Sequence, residues 1–140
     1  MQAAIDEAKK GLDEGGIPIG AVLVKDGKIV GQGHNRRVQE DDVTAHAEIN
    51  CLKNAGRIKN YKDCVLYSTL SPCYMCSGSA VLFKIPKVVI GENKNFMGGE
   101  DLLKAHGIDT EILNEPEIIE LFGNWIKEHP ELWEEDIGEL

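Results

Sequence analysis

The sequence predicts an α/β fold, a three-layer α/β/α sandwich built around a mixed five-stranded sheet. Strand-like and helix-like apolar patterns alternate along the chain, which is typical of units whose later strands run parallel. A hairpin signal near the start adds an antiparallel pair. With 140 residues the chain has the length of one domain, and we expect residues 1–140 to form it.

The predicted strands are short, β-rich and bounded by turn residues. Asp26-Gly27 is typical of a tight hairpin turn between the first two strands. The third strand runs directly into a loop that contains Pro72 and Cys73, so a strand, a loop and a helix follow in order. The five predicted strands cover residues 17–25, 28–33, 64–70, 87–91 and 109–113.

Helical signals lie between these strands. Thr44 is the predicted N-cap of the second helix, and Gly56 is its predicted end. The residues that follow Pro130 read as a short acidic tail. Helices are predicted over residues 1–14, 45–55, 73–83 and 99–107 and from residue 116 towards Pro130.

The charge balance excludes some classes of partner. Acidic residues outnumber basic ones 24 to 15, which gives a formal net charge of −9. Proteins that bind nucleic acid neutralise phosphates with clustered Lys and Arg, so the composition argues against nucleic acid and favours a small neutral substrate. No apolar run approaches a membrane span, and the N-terminus lacks a signal-peptide pattern. We therefore expect a cytoplasmic protein without a membrane partner.

Two cysteines three residues apart form half of a candidate metal site. Cys73 and Cys76 follow Pro72 at the predicted start of a helix, where the helix dipole favours the metal-binding thiolate form. A Cys-x-x-Cys pair alone also fits structural zinc or redox chemistry. The other two cysteines, Cys51 and Cys64, are most simply buried small hydrophobes.

A third ligand is available upstream of the cysteines. A catalytic zinc site takes three protein ligands and leaves the fourth position to water, and His46 supplies the missing imidazole. Glu48 lies two residues further on, where its carboxylate can move protons without binding the metal. Iron accepts the same ligands, but two thiolates and an imidazole favour one Zn²⁺ per chain.

The combination of His46-x-Glu48 with Pro72-Cys73-x-x-Cys76 is the signature of zinc-dependent nucleobase deaminases. Over nearly its whole length the chain resembles the fungal-type cytosine deaminases of the cytidine deaminase-like superfamily. The segments that carry this resemblance are residues 14–20 (EGGIPIG), 33–35 (GHN), 46–48, 69–76, 91–96 (GENKNF) and 133–139 (WEEDIGE). The resemblance implies hydrolytic deamination of a free nucleobase, cytosine to uracil and ammonia, by a homodimer.

The same resemblance implies a role for each site residue. His46, Cys73 and Cys76 would hold the zinc, and Glu48 would shuttle protons as zinc-bound hydroxide attacks the pyrimidine.

Five further residues would bind the base. Asn35 would hydrogen-bond it, Asp136 would accept from its polar edge, and the backbone of Ser71 would meet the amino group. Phe96 and Trp133 would pack on the ring. From the residue pattern alone, Asn35 also fits a turn and Asp136 a solvent-facing position.

Three positions depart from the family pattern and bear on which base is bound: Val38, Ala47 and Glu134. Other substrates therefore stay open, namely guanine, isocytosine, 5-methylcytosine, a nucleoside or an adenosine in tRNA. A third possibility is a zinc-binding module without catalysis. That class predicts either loss of the glutamate or a fourth protein ligand, and Glu48 is present.

Overall fold

The computed structural model describes residues 1–139, and its centre is a mixed five-stranded sheet in the order β2-β1-β3-β4-β5. The strands are β1 (Gly20–Lys25), β2 (Lys28–His34), β3 (Cys64–Leu70), β4 (Lys87–Glu92) and β5 (Asp109–Ile112). β1 is antiparallel to both β2 and β3, whereas β3, β4 and β5 are parallel. The predicted fold class is confirmed, including the parallel pairing of the later strands.

Helices cover both faces of the sheet. They are α1 (Gln2–Asp13), α2 (Arg37–Glu40), α3 (Ala47–Ala55), α4 (Tyr74–Phe83), α5 (Glu100–Ala105), α6 (Pro116–Glu128) and α7 (Pro130–Asp136). α1 and α6 lie on one side and are linked by an ion pair between Lys9 and Glu117. α3 lies on the other side, so close to β2 that a Cβ atom on Gly33 would be 2.7 Å from the backbone nitrogen of Cys51. Only glycine allows this approach.

One edge of the sheet collects the segments that matter for function. β1 starts at Gly20, opposite the end of β2 at His34, and β3 ends at Leu70 beside the end of β4 at Glu92. The residues just before β1 and just after β2, β3 and β4 therefore meet there. In open α/β sheets this is where ligands bind, outside the carboxyl ends of the parallel strands.

Four local features differ from what the sequence predicts. Thr44 is not the N-cap of α3, because the helix begins at Ala47 and His46 occupies the cap with an extended backbone. The predicted acidic tail is the helix α7, and α2 was not predicted. β1 begins at Gly20 and not at residue 17. Within residues 1–139, no helix combines the length and the apolar character needed to cross a bilayer.

Candidate active site

His46, Cys73 and Cys76 come together where two helices start. His46 is the N-cap of α3, Cys73 is the N-cap of α4, and Cys76 lies in the first turn of α4. His46 Nδ1 is 3.5 Å from Cys73 Sγ and 3.8 Å from Cys76 Sγ. In a tetrahedral zinc site with these ligands the donor atoms lie about 3.5 to 3.8 Å apart. The three side chains are close enough together to hold one metal ion, and their spacing and chemistry fit zinc.

The two thiols have opposite pKa shifts. A hydrogen bond from Cys76 is the main reason that the pKa of Cys73 falls to about 4, against an opposing effect of burial. Cys76 has the opposite shift, and its pKa rises well above 9.0 because it donates to Cys73 and is buried near Glu48. Cys73 is thus a thiolate at neutral pH, ready to bind a cation.

His46 is oriented by partners on both ring nitrogens. Burial opposes its charged form, but the hydrogen bond to Cys73 and the charge of Asp136 outweigh burial and raise its pKa to about 9. Its Nε2 lies 3.4 Å from Asp136 Oδ1, while Nδ1 faces the sulfurs. A carboxylate on the far nitrogen fixes the ring of a metal-binding histidine in this way.

Glu48 lies in the first turn of α3 and is only 4% exposed. Burial is the main reason that its pKa rises to about 7, and the nearby Cys73 thiolate adds to the rise. A carboxyl group in this range can both accept and donate a proton near neutral pH. Ala47, which stands beside it in sequence, also lines the pocket.

A narrow pocket of about 20 Å³ lies against this cluster. Apart from Cys76, which is buried behind it, every residue predicted for the site lines the pocket. The sequence does not predict three apolar residues that also line the pocket, Ile19, Leu70 and Ile137. Ile19 directly precedes β1, and Leu70 ends β3, so the topology of the sheet explains their position. Neither has a chemical signature in the sequence.

Asn35 and Asp136 lie side by side in the pocket wall, hydrogen-bonded to each other. Asn35 is fully buried, and its Nδ2 donates to Asp136 Oδ1 and Oδ2 at 3.3 and 3.4 Å. Its Oδ1 accepts from the backbone N–H of Arg37 at 2.9 Å. Burial raises the pKa of Asp136, while the charge of His46 and the Asn35 hydrogen bond counteract this rise.

Ser71 turns its side chain away from the pocket. Its hydroxyl donates to Glu100 at 2.7 Å and accepts from the Gly98 N–H, and its own N–H donates to Glu92 O. Its carbonyl is therefore the group that it can offer to a ligand. This agrees with the prediction that Ser71 would act through its backbone, although the role itself stays a prediction.

Two aromatic residues from different parts of the chain, Phe96 and Trp133, pack against each other in the pocket wall. Phe96, in the loop after β4, packs edge-on against Trp133 of α7 with ring centroids 5.5 Å apart. Trp133 also packs edge-on against Phe122 of α6 at 5.0 Å. The buried Glu92 anchors the Phe96 loop by accepting from the N–H groups of Lys94 and Asn95.

The positions that depart from the family pattern differ in their distance from the pocket. Val38 and Glu134 are exposed, and neither lines the pocket, whereas Ala47 is buried in its wall. A much larger groove of about 720 Å³ lies elsewhere, between α1, β2 and α3. This groove is open to solvent and is lined by no cysteine, so the smaller pocket is the one that contains the candidate metal ligands and Glu48.

An α/β/α sandwich that joins a histidine, two cysteines and a glutamate at two helix starts defines the class of zinc-dependent deaminases. Residues 1–92 match the family described as the cytidine and deoxycytidylate deaminase zinc-binding region. The chain belongs to this family, and it is a zinc-dependent deaminase.

Individual relatives cover different shares of the chain. A cytosine deaminase of Candida albicans is 49% identical over 142 aligned positions, which cover 99% of this chain and 95% of the relative. A tRNA-specific adenosine deaminase of Streptococcus pyogenes is 42% identical, covering 74% of this chain and 67% of the relative. A solved structure from studies of A-to-I editing by tRNA:A34 deaminases superimposes with a TM-score of 0.68 at 30% identity, covering 80% of this chain and 95% of that one.

Proposed function

We propose that the protein deaminates free cytosine to uracil and ammonia, in a pocket formed by Asn35, Ser71, Phe96, Trp133 and Asp136. The observation that carries this proposal is the narrow pocket, which brings Asn35 and Asp136 together with the cluster of His46, the two cysteines and Glu48. Support also comes from the 49% identical cytosine deaminase, which matches nearly the full length of the chain.

The pocket residues hold the base by its polar edge. Asn35 Nδ2 donates to the O2 oxygen of cytosine, and the Asp136 carboxylate accepts from N1–H. The Ser71 carbonyl accepts from the amino group, and Phe96 and Trp133 pack on the ring. A nucleoside carries a sugar on N1, so it offers no proton to Asp136 and would collide with α7. This arrangement therefore favours the free base.

Glu48 moves the protons of the reaction. Zinc, when held by His46, Cys73 and Cys76, supplies Lewis-acid chemistry that makes a water molecule acidic enough to attack at neutral pH. Glu48 takes one proton from this water and delivers it to N3 as the new bond to C4 forms. It then carries the second proton from the new hydroxyl group to the amine as the C4–N bond breaks. Uracil and ammonia are the products.

Deamination of an adenosine in tRNA is the second candidate, because relatives of that name are 42% identical. Two observations favour the free base. Those relatives cover only 74% of this chain, whereas the cytosine deaminase covers 99%. The net charge of −9 also opposes contact with a phosphate backbone.

The experiment is ammonia release by the zinc-loaded protein with cytosine, 5-methylcytosine, isocytosine, cytidine, guanine and an adenosine-containing RNA hairpin. We expect turnover of cytosine well above that of cytidine. Glu48→Gln should keep its zinc and fold but lose about 10²- to 10⁴-fold in rate. Preferred turnover of cytidine or the hairpin would overturn the free-base assignment, and a near-normal rate for Glu48→Gln would overturn its role as proton shuttle.

We further propose a homodimer in which exposed apolar side chains of α4 meet. Tyr74, Met75, Leu82 and Phe83 are exposed on this helix, and exposed apolar side chains concentrated on one helix point to a protein interface. The single domain over residues 1–140, the cytoplasmic location and a role in pyrimidine salvage also stay predictions. None of them alters the chemistry of the pocket.

A further inference from the structure

The pocket is narrow in this structure. Its volume of about 20 Å³ is little more than the roughly 10–15 Å³ that one enclosed water molecule needs, so it has room for only one or two water molecules. A nucleobase is several times larger, so a wall has to move before any base can enter. Three of the lining residues, Trp133, Asp136 and Ile137, lie in or directly after α7. α7 is therefore a natural candidate for the moving wall.

The polar attachments of α7 are concentrated on one short segment of the chain. Among residues 1–139, its side-chain hydrogen bonds and ion pairs to other elements all end on Asn35, Arg37 and His46. Asn35 and His46 already belong to the pocket. Arg37 does not line it, which leaves Arg37 as the one partner whose role the proposed reaction does not explain.

Arg37 reaches both sides of the pocket from the first position of α2. Its guanidinium lies 3.3 to 3.4 Å from Glu135 Oε1 and 3.9 Å from Asp136 Oδ1, and it donates to Val43 O at 3.4 Å. Its backbone N–H donates to Asn35 Oδ1, which leaves Asn35 Nδ2 to face Asp136. The same residue thus fixes the orientation of Asn35 and holds the helix that carries Asp136.

The burial of this contact separates it from an ordinary surface ion pair. The Arg37 side chain is only 14% exposed, whereas Lys9 and Glu117 in the pair between α1 and α6 are 42% and 53% exposed. Exposed pairs contribute little because water screens them, and partial burial strengthens the interaction. Glu135 itself is 46% exposed, so its pairing with Arg37 can break without leaving a charge buried.

We propose that Arg37 is a positioning residue that holds α7 closed over the pocket through Glu135 and Asp136 while its backbone orients Asn35. Substrate entry and product release then require the Arg37 contacts to Glu135 and Asp136 to open. This inference rests on the proposed function for the identity of the ligand, but the attachment of α7 is independent of that function.

The experiment compares Arg37→Gln, Glu135→Gln and the double variant with the zinc-loaded protein. Glu131→Gln is the matched control, because it removes the same charge from an exposed position of α7 that has no side-chain partner among residues 1–139. Hydrogen exchange of residues 130–137 and Trp133 fluorescence report the docking of α7. Steady-state kinetics with cytosine report KM and kcat separately, and zinc content is measured for every variant.

We expect faster exchange over residues 130–137 in all three variants and a smaller effect in Glu131→Gln, which removes only a favourable charge from the first turn of α7. KM should rise about threefold in Glu135→Gln and about tenfold in Arg37→Gln, with kcat changed less than KM. The double variant should be no worse than Arg37→Gln, because both substitutions break one contact. Unchanged exchange and KM in Glu135→Gln and Arg37→Gln would overturn the proposal, as would an equal effect of Glu131→Gln. If cytosine is not a substrate at all, the exchange data still decide the role of Arg37.

Discussion

At the scale of single residues, the candidate zinc site depends on the positions of Cys73 and Cys76 at the start of one helix. Cys73 caps α4 and Cys76 lies one turn further, so both sulfurs point to the same side and face His46 Nδ1. The low pKa of Cys73, about 4, comes from the hydrogen bond that Cys76 donates. A serine or alanine at either position would remove both a ligand and the partner that tunes the other thiol.

Cys73→Ala is expected to lose zinc and thermal stability together, because zinc binding by a preformed site contributes directly to folding. Zinc content is measured by mass spectrometry of metals, and stability by thermal unfolding. Cys64→Ala is the control, since Cys64 is a free cysteine that lies outside the cluster. Full zinc content in Cys73→Ala would refute its assignment as a ligand.

A second residue-scale feature is the polar cluster around Glu14. Glu14 Oε1 accepts from His34 Nε2 at 2.8 Å, from Arg36 at 3.1 Å and from Gln39 at 3.2 Å. His34 is buried and its other ring nitrogen faces Glu7 at 3.2 Å. These contacts link the end of α1 to the turn that follows β2.

The Glu14 cluster gives a prediction for the pH dependence of stability. The pKa of Glu14 is lowered from 4.5, chiefly by the hydrogen bond from His34. A carboxyl group with a lower pKa in the folded state stabilises the protein above its unfolded pKa and loses that effect as the pH falls through the folded value. The difference in thermal midpoint between wild type and Glu14→Gln should therefore be full at about pH 6 to 7 and shrink as the pH falls below about 4.5. The exposed Glu120→Gln variant gives the baseline, and a difference independent of pH would contradict the prediction.

At the scale of elements, the loop from β4 to α5 packs tightly on the cysteine loop. A Cβ atom on Gly98 would collide with Pro72 O and come within 3.0 Å of Cys73 Cα. The N–H of Gly98 also donates to Ser71 Oγ, and that of Gly99 donates to Pro72 O. We infer that this contact sets the distance between Phe96 and the candidate zinc ligands. Gly98 and Gly99 would then do more than form a turn before α5.

Gly98→Ala is expected to destabilise the protein by about 1 to 3 kcal/mol, the usual cost of overpacking, and to raise KM by displacing Phe96. Chemical unfolding and kinetics with cytosine measure the two effects. Gly78→Ala in α4 is the control, because a Cβ atom there meets nothing within 4 Å in the described chain. Since Gly78 lies between Tyr74 and Leu82 on the proposed dimer surface, sedimentation velocity of this variant shows whether the dimer is kept. Alanine favours the helix, so the control should be neutral or stabilised by up to about 1 kcal/mol. Equal behaviour of the two variants would show that the close approach is unimportant.

Most strands and helices could be predicted from the sequence, but one helix cap could not. The five strands, the hairpin turn and the helices that carry the ligands follow from periodicity and turn residues. The N-cap of α3 does not, because its position is taken by His46, and Thr44 instead donates with its N–H and hydroxyl to Asp42 Oδ1 at 2.8 Å. A functional residue has displaced the residue that local propensity prefers.

α7 was missed for a different reason. Its acidic residues resemble a solvated tail, although Pro130 at the first helical position is a valid start signal. The buried side of this helix, with Trp133 and Asp136, becomes recognisable only once α6 and the pocket lie beneath it. The position of Arg37 likewise depends on how α7 docks, a contact 98 residues apart in the chain that no local pattern encodes.

At the scale of the whole molecule, the surface of α4 is the feature that a single chain leaves unexplained. Leu82 is 72% exposed, and Phe83 stacks on Tyr61 at the same end of the helix. Because α4 also carries Cys73 and Cys76, a partner on this surface would lie beside the metal cluster. A two-fold interface that buries the same helix of each copy would cover these side chains.

Sedimentation velocity tests this arrangement. The wild-type protein is expected to sediment as a dimer, whereas Leu82→Glu should sediment as a monomer, because it would bury a charge without a partner in the interface. Ile29→Glu is the control, since Ile29 is 54% exposed on the β2 edge, far along the sheet from α4, and should remain dimeric. A monomeric wild type, or a dimer that survives Leu82→Glu, would exclude α4 as the interface. Loss of the dimer in Ile29→Glu alone would move the interface to the β2 edge.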